Sequence, residues 1–114
     1  MELVHHIKEE CLVLALSGDL IGENSGTGIL EIVSDAMNDN VVAIALDLEK
    51  VRYMNSTGLG VFITLLTKVK NKGGDVVVVN PSEQIKKLLQ ITKLNDVFRS
   101  FDTEEEAIQA LKSI

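Results

Sequence analysis

The 114-residue chain contains no tryptophan and has only one tyrosine, three phenylalanines, one proline and one cysteine. With so few aromatic side chains, a platform on which nucleic-acid bases could stack is not expected. The single cysteine, Cys11, excludes an intramolecular disulfide and fits a reducing compartment. No repeat or proline-rich linker divides the sequence. We therefore expect a single domain over residues 1–114.

Clustered positive charge and long apolar runs are also missing. Eleven Lys and Arg residues are scattered against 17 Asp and Glu, giving a formal net charge of −6, so direct nucleic-acid binding has little electrostatic support. No segment approaches the roughly 18 apolar residues that would span a bilayer, and no leader pattern opens the sequence. These features predict a soluble, cytoplasmic protein without membrane insertion. The 46% hydrophobic and 25% charged residues are typical of a globular chain.

Wholly apolar segments alternate with helical patterns. Residues 11–17, 41–46 and 76–79 are apolar on both faces, which is typical of inner strands, and residues 3–8 and 98–101 predict further short strands. A helical pattern follows residues 41–46 and another follows 76–79. This repetition predicts an α/β fold in which parallel strands are joined by helical crossovers.

Four helices are predicted from capping residues and apolar periodicity. The first begins at Asn24 or Ser25 and ends near residues 38–40, and the second runs from about Thr57 to Lys72 and stops at Gly73 and Gly74. Ser82 caps a short third helix, and Thr103 opens a capping box for the fourth. The residues expected to face the core, apart from those of the second helix, are Ile29, Ile32, Val33, Ala36, Met37, Ile85, Leu88, Leu89, Ala107, Ile108, Leu111 and Ile114.

Residues 47–60 join a predicted inner strand to the longest helix. Loops at the carboxyl ends of parallel strands hold the sites of open α/β sheets. Ser56 lies at or beside the helix N-cap, where its hydroxyl can accept a hydrogen bond from a backbone N–H, and this capping role alone is one interpretation. Gly58 and Gly60 in the first turn favour another, because two missing side chains leave the backbone open to a partner or a phosphate.

The second helix carries more apolar surface than one buried face requires. Val61 and Leu65 widen its apolar stripe and are candidate contact residues, unless neighbouring helices cover them. The stripe itself consists of Leu59, Phe62, Leu66 and Val69, with Ile63 also extending it.

The pattern Asp-Leu-x-x-Val-x-Tyr-Met-x-Ser-Thr-Gly-Leu-Gly over residues 47–60 resembles the signature of the STAS domain, which is found in bacterial anti-sigma-factor antagonists and in sulfate transporters. The resemblance continues through residues 73–74, 88–94, Phe98 and 105–111, and so covers nearly the whole chain. It implies a mixed sheet of four or five strands with about four helices, in a single layer mainly on one face.

In the antagonist branch of that family, the serine matching Ser56 is phosphorylated by an anti-sigma factor that is itself a serine kinase, and a serine phosphatase removes the phosphate. The unphosphorylated antagonist binds the anti-sigma factor and so releases the sigma factor. We expect no enzymatic activity and no metal or cofactor. The partner-binding residues expected from the motif and the helix are Asp19, Asn55, Ser56, Thr57, Gly58, Leu59, Gly60 and Val61.

Two departures from the family pattern concern these residues. Asn55 stands where the family usually has Asp immediately before the serine. The early loop, usually Gly-x-Leu-Asp, here reads Gly-Asp-Leu-Ile, so that its acidic group is Asp19 and not the residue at Ile21.

Enzymatic sites have weaker support in the sequence. His5 and His6 are adjacent in a strand and point to opposite faces, which is poor geometry for one metal. The glycines at positions 22–28 lack the Lys-Ser/Thr ending of a P-loop. Asp47 ends a strand, yet the clustered early carboxylates of a phosphoreceiver are missing. The main alternative is a STAS binding subunit of a transport or signalling complex without a phosphorylation cycle. The free protein is expected to be a monomer or a weak dimer.

Overall fold

A computed structural model describes residues 2–20 and 23–112, without the side chains of residues 23–27. Its strands and helices, in chain order, are β1 (Glu2–Lys8), β2 (Cys11–Leu20), α1 (Glu23–Asn38), β3 (Ala43–Met54), α2 (Ser56–Asn71), β4 (Asp75–Val79), α3 (Glu83–Ile91), β5 (Ser100–Phe101) and α4 (Glu104–Lys112). The strands form one mixed sheet in the order β1-β2-β3-β4-β5, in which β1 is antiparallel to β2 and the other pairs are parallel. This confirms the predicted α/β fold.

The β1–β2 hairpin turns through Glu9 and Glu10, whose φ angles are 52° and 67°. Two central residues with positive φ make a type I′ turn, whose twist matches the twist of the flanking strands. Lys8 and Cys11 form the closing pair. Within the described part of the chain β1 pairs with β2 alone, so it is an edge strand, whereas β2 lies inside the sheet as predicted.

Strand β3 is longer than expected. The sequence predicted a strand over residues 41–46 and a connection up to the helix, but the strand continues to Met54. Two register shifts in the β2–β3 ladder, between Ala15 and Ser17 and between Gly18 and Asp19, give β3 two extra residues. Such β-bulges let a strand with interrupted alternation stay paired. The site segment is therefore mostly strand.

Helices cover both faces of the sheet unequally. Helices α1, α2 and α3 pack on one face around a core that includes Leu14, Ile44 and Phe62, whereas α4 alone packs on the other face against Val13, Ala45 and Val77. The prediction that the helices lie mainly on one face is confirmed, and α4 forms the exception. No helix in residues 23–112 is long and apolar enough to cross a membrane.

Most of the predicted caps are confirmed. Gly73, at a φ of 82°, and Gly74 close α2 by donating to the carbonyls of Lys70 and Val69, at 3.0 Å each. The Ser82 oxygen accepts from the N–H of Ile85 at 3.4 Å, and the Thr103 oxygen accepts from the N–H of Glu106 at 3.2 Å. The strand predicted over residues 98–101 is shorter in the structure, where β5 consists of Ser100 and Phe101. Phe98 lies before the strand and is buried in the core.

Two sequence predictions fall on undescribed atoms. Helix α1 begins at Glu23, ahead of the caps proposed at Asn24 and Ser25, whose side chains lie outside the described part. Ile21, Gly22 and Ile114 also lie outside the described residues.

Candidate functional site

The carboxyl ends of β2 and β3 meet the amino end of α2 at one edge of the sheet. Leu20 pairs with Met54 in the ladder, and the Leu20 carbonyl accepts a hydrogen bond from the N–H of Asn55 at 3.3 Å. Asn55 alone separates β3 from α2. The start of the helix is therefore held directly on the end of the sheet, and we call residues 55–60 the α2 tip.

The N-cap of α2 is Asn55. Its side-chain oxygen accepts a hydrogen bond from the N–H of Gly58 at 3.0 Å, and its extended backbone has a φ of −98° and a ψ of −176°. Ser56, which the sequence placed at or beside the cap, is the first helical residue. Asn and Asp are about equally good N-caps, so Asn55 can perform the structural role that Asp would have at this position.

The hydroxyl-bearing residues of the tip, Ser56 and Thr57, are exposed. Their N–H groups are in the first turn, where no carbonyl one turn back can accept a hydrogen bond, while Asn55 and Gly58 donate elsewhere, as described above. Free N–H groups and the positive end of the helix dipole favour an anion. A phosphate attached at this position would be locally stabilised.

The two glycines of the tip have different roles. Gly58 is buried, and a Cβ built on it would clash with the carbonyl oxygen of Leu20 and lie 3.0 Å from the side chain of Met54. Its missing side chain therefore allows the helix to pack on the sheet within the same chain. A Cβ on Gly60 would meet nothing within 4 Å, so only Gly60 leaves open space on the surface, as the sequence suggested for both.

Asp19 lies at the same edge of the sheet, opposite Tyr53 in the ladder. Its carboxylate oxygen is 3.3 Å from the guanidinium of Arg52; the Arg52 side chain is 77% exposed and the Asp19 side chain 38%. An exposed pair of this kind contributes little to stability. Asp19 and Arg52 thus offer one charge of each sign near the tip, and Arg52 was not among the residues expected from the sequence.

The apolar surface of α2 is arranged differently from the prediction. Leu65 is fully buried in the core and Leu59 is 8% exposed, so neither side chain is available to a partner as the structure stands. The prediction that Leu65 contacts a partner was therefore wrong, because the sheet and neighbouring helices cover this side chain. Val61 is half-buried, and Ile63, at 44% exposure, is the exposed apolar residue of this helix.

A shallow groove of about 250 Å³ lies beside the tip, between the end of β3 and helix α3. Tyr53 is 54% exposed and Ile91 is 80% exposed there, with Leu88 half-buried between strand and helix. Sequence reasoning missed this groove because it depends on how α3 packs. The one available signal was Ile91, an apolar residue off the buried stripe of its helix.

Other chemistry-bearing residues lie apart from the tip. His5 and His6 are exposed on β1, and His6 is 3.5 Å from Glu104 of α4. Cys11 is 2% exposed, and burial raises the pKa of its thiol, which disfavours the nucleophilic thiolate. Across residues 2–20 and 23–112, no three His, Cys, Asp or Glu side chains form a group that could hold a metal ion.

Comparisons with known proteins agree with this architecture. The STAS domain profile matches residues 2–107. A Thermotoga neapolitana protein, named as a candidate anti-sigma factor antagonist homolog, is 28% identical over 108 residues, 95% of this chain and 96% of that protein. An anti-sigma-B factor antagonist of Bacillus subtilis (strain 168) is 40% identical over 62 residues, 54% of this chain and 57% of that protein. The structure of the anti-sigma factor antagonist SpoIIAA in its unphosphorylated form matches with a TM-score of 0.78 at 25% identity, covering 99% of this chain and 100% of that chain.

Proposed function

Because the chain belongs to the STAS domain family, we propose that it is an anti-sigma-factor antagonist whose unphosphorylated form binds an anti-sigma factor with serine kinase activity. Phosphorylation of Ser56 ends that binding, and a serine phosphatase restores it. The protein acts in the cytoplasm as a binding module and not as an enzyme. Relatives over nearly the full length carry antagonist names, which supports this choice.

The observation that carries the proposal is the division of roles between Asn55 and Ser56. Asn55 caps the helix, and Ser56 presents an exposed hydroxyl at the first helical position. The fold therefore does not require the Ser56 hydroxyl as a cap. A kinase can modify it and the domain stays folded.

The partner-binding surface that we propose comprises Asp19 and the α2 tip with Val61. Ser56, Thr57 and the open space over Gly60 supply the accessible part, and Gly58 and Leu59 shape it from below. Asp19 contributes through its exposed ion pair with Arg52.

Phosphate at Ser56 acts at the interface and not on the fold. It adds a charge of about −1.5 to −2, which the helix start tolerates. Against a docked partner the same dianion is desolvated without a counter-charge. Leaving such charge unpaired in an interface costs about 2–5 kcal/mol, or roughly 30-fold to several thousand-fold in affinity.

The test uses a purified anti-sigma factor kinase from the same genome, ATP, and intact mass measurement. We expect the wild type and Thr57→Ala to gain one phosphate and Ser56→Ala to gain none. Calorimetry should show that Ser56→Ala binds the kinase as tightly as the unmodified wild type, whereas the phosphorylated wild type binds at least about 30-fold more weakly.

Transfer of phosphate onto Ser56→Ala would show that another hydroxyl is the acceptor. Binding without any phosphate transfer would instead favour the alternative function, a STAS subunit or scaffold without a phosphorylation cycle.

A further inference from the structure

The free edge of β1 has a sequence that is complementary to itself. When two copies of the strand Glu2–Lys8 are aligned antiparallel with His5 opposite His5, Glu2 lies opposite Lys8, Leu3 opposite Ile7, and Val4 opposite His6. Each pairing occurs twice when two copies meet about a two-fold axis. Opposite charges face one another at both ends, and next to them Leu3 of each copy faces Ile7 of the other.

The hydrogen-bonding pattern permits this register. In a two-residue hairpin, the closing residues Lys8 and Cys11 exchange hydrogen bonds, and the bonding residues then alternate along the strand. Glu2, Val4, His6 and Lys8 therefore direct their N–H and C=O groups toward β2. Leu3, His5 and Ile7 direct theirs outward. When two copies pair about His5, the outward N–H and C=O groups of Leu3, His5 and Ile7 in one copy face those of Ile7, His5 and Leu3 in the other. This gives three hydrogen-bonded residue pairs and about six new hydrogen bonds.

All the side chains that would meet are exposed in the single chain except that of Leu3. Val4 is 66% exposed and Ile7 is 55% exposed, which makes β1 one of the more apolar exposed parts of the surface. Leu3 is half-buried and packs against the main core. Ile7 of a second copy placed opposite Leu3 would extend that core across the edge.

From the self-complementary register and the free backbone groups, we propose that two copies of this chain dimerise by antiparallel pairing of their β1 strands about His5. The two five-stranded sheets become one continuous sheet of ten strands. Because β1 is antiparallel in the pair, the two α2 tips lie at opposite ends of the dimer. Each copy can therefore bind its own partner, and dimerisation does not depend on the function proposed above.

The charge pairs provide the first test, by sedimentation velocity over a range of protein concentrations. Wild type should pass from monomer to dimer as the concentration rises. Glu2→Lys and Lys8→Glu should each raise the dimer dissociation constant about tenfold, because each sets like charges opposite one another twice. The double variant Glu2→Lys/Lys8→Glu should return to within about threefold of wild type, since the pairs are restored in reverse.

Sedimentation of the wild type only as a monomer at every concentration would overturn the proposal. So would a double variant that associates as weakly as the single variants. Both substitutions are at exposed positions, and circular dichroism of each of the three variants checks that the fold is retained.

A disulfide provides the second test, because His5 lies on the proposed two-fold axis. Two His5→Cys copies would place their Cα atoms about 5.5 Å apart, which is within disulfide range. The matched control is His6→Cys, the adjacent exposed residue, whose copies would be diagonal neighbours about 7–8 Å apart. Cys11 is buried in both variants. Mild oxidation should crosslink His5→Cys at least about tenfold more than His6→Cys, and equal crosslinking would refute the register.

Discussion

Replacing Asn55 by Ala tests which residue caps α2. The Asn55 oxygen accepts the N–H of Gly58, one of the donors that the helix start cannot satisfy internally. Loss of an N-cap costs about 0.5–2 kcal/mol, typically about 1. For 114 residues, the unfolding entropy near 60 °C is about 0.24 kcal/mol/K, so a loss of about 1 kcal/mol lowers Tm by about 4 °C.

Calorimetric and urea unfolding of three variants would measure this effect. Asn55→Ala should be destabilised by the amount above, and Asn55→Asp should stay within about 0.5 kcal/mol of wild type because Asp caps equally well. Ser56→Ala should also change stability by less than about 0.5 kcal/mol, since its hydroxyl is exposed and another residue provides the cap. If Ser56→Ala were as destabilising as Asn55→Ala, the assignment of the cap and of the free hydroxyl would both be wrong.

Two further predictions follow from the packing of glycines and from one exposed ion pair. Gly58→Ala should lower the free energy of unfolding by about 1–3 kcal/mol, because the added Cβ clashes with Leu20. Gly60→Ala should raise the free energy of unfolding by about 0.5–1 kcal/mol, because alanine favours helix and its Cβ meets no neighbouring atom. Equal effects of the two variants in urea unfolding would contradict the structure. The 2.7 Å hydrogen bond from Lys112, together with its charge, holds the pKa of Glu9 below its ordinary value. In an NMR pH titration the Glu9 carboxylate should therefore stay ionised to lower pH in the wild type than in Lys112→Met, and an unchanged Glu9 pKa in the variant would disprove the contact.

The sequence predicts the alternation of strands and helices because the inner strands are wholly apolar and the helices carry clear caps. It predicts β3 poorly beyond Leu46. Leu48, Val51 and Met54 are buried at intervals of three residues, because two bulges insert extra residues into the strand. A strand is normally recognised by alternation with a period of two, so this part could not be distinguished from a loop.

The candidate site was predicted in position but not in its internal roles. The motif locates Ser56 and its exposed hydroxyl, which the structure places at the helix start. It does not show that Gly58 serves close packing within the chain or that Leu65 is in the core. Both facts depend on how α2 packs against the sheet and its neighbouring helix, which no local pattern encodes.

Helix α2 is anchored at both ends, by Gly58 against the Leu20 backbone and by the glycine turn that leads into β4. Because both ends of the helix are fixed, we expect a phosphate on Ser56 to leave its position unchanged. The phosphorylated and unmodified proteins should then have the same backbone structure. A partner would have to distinguish them by the charge and size of the phosphate itself and not by a change in conformation.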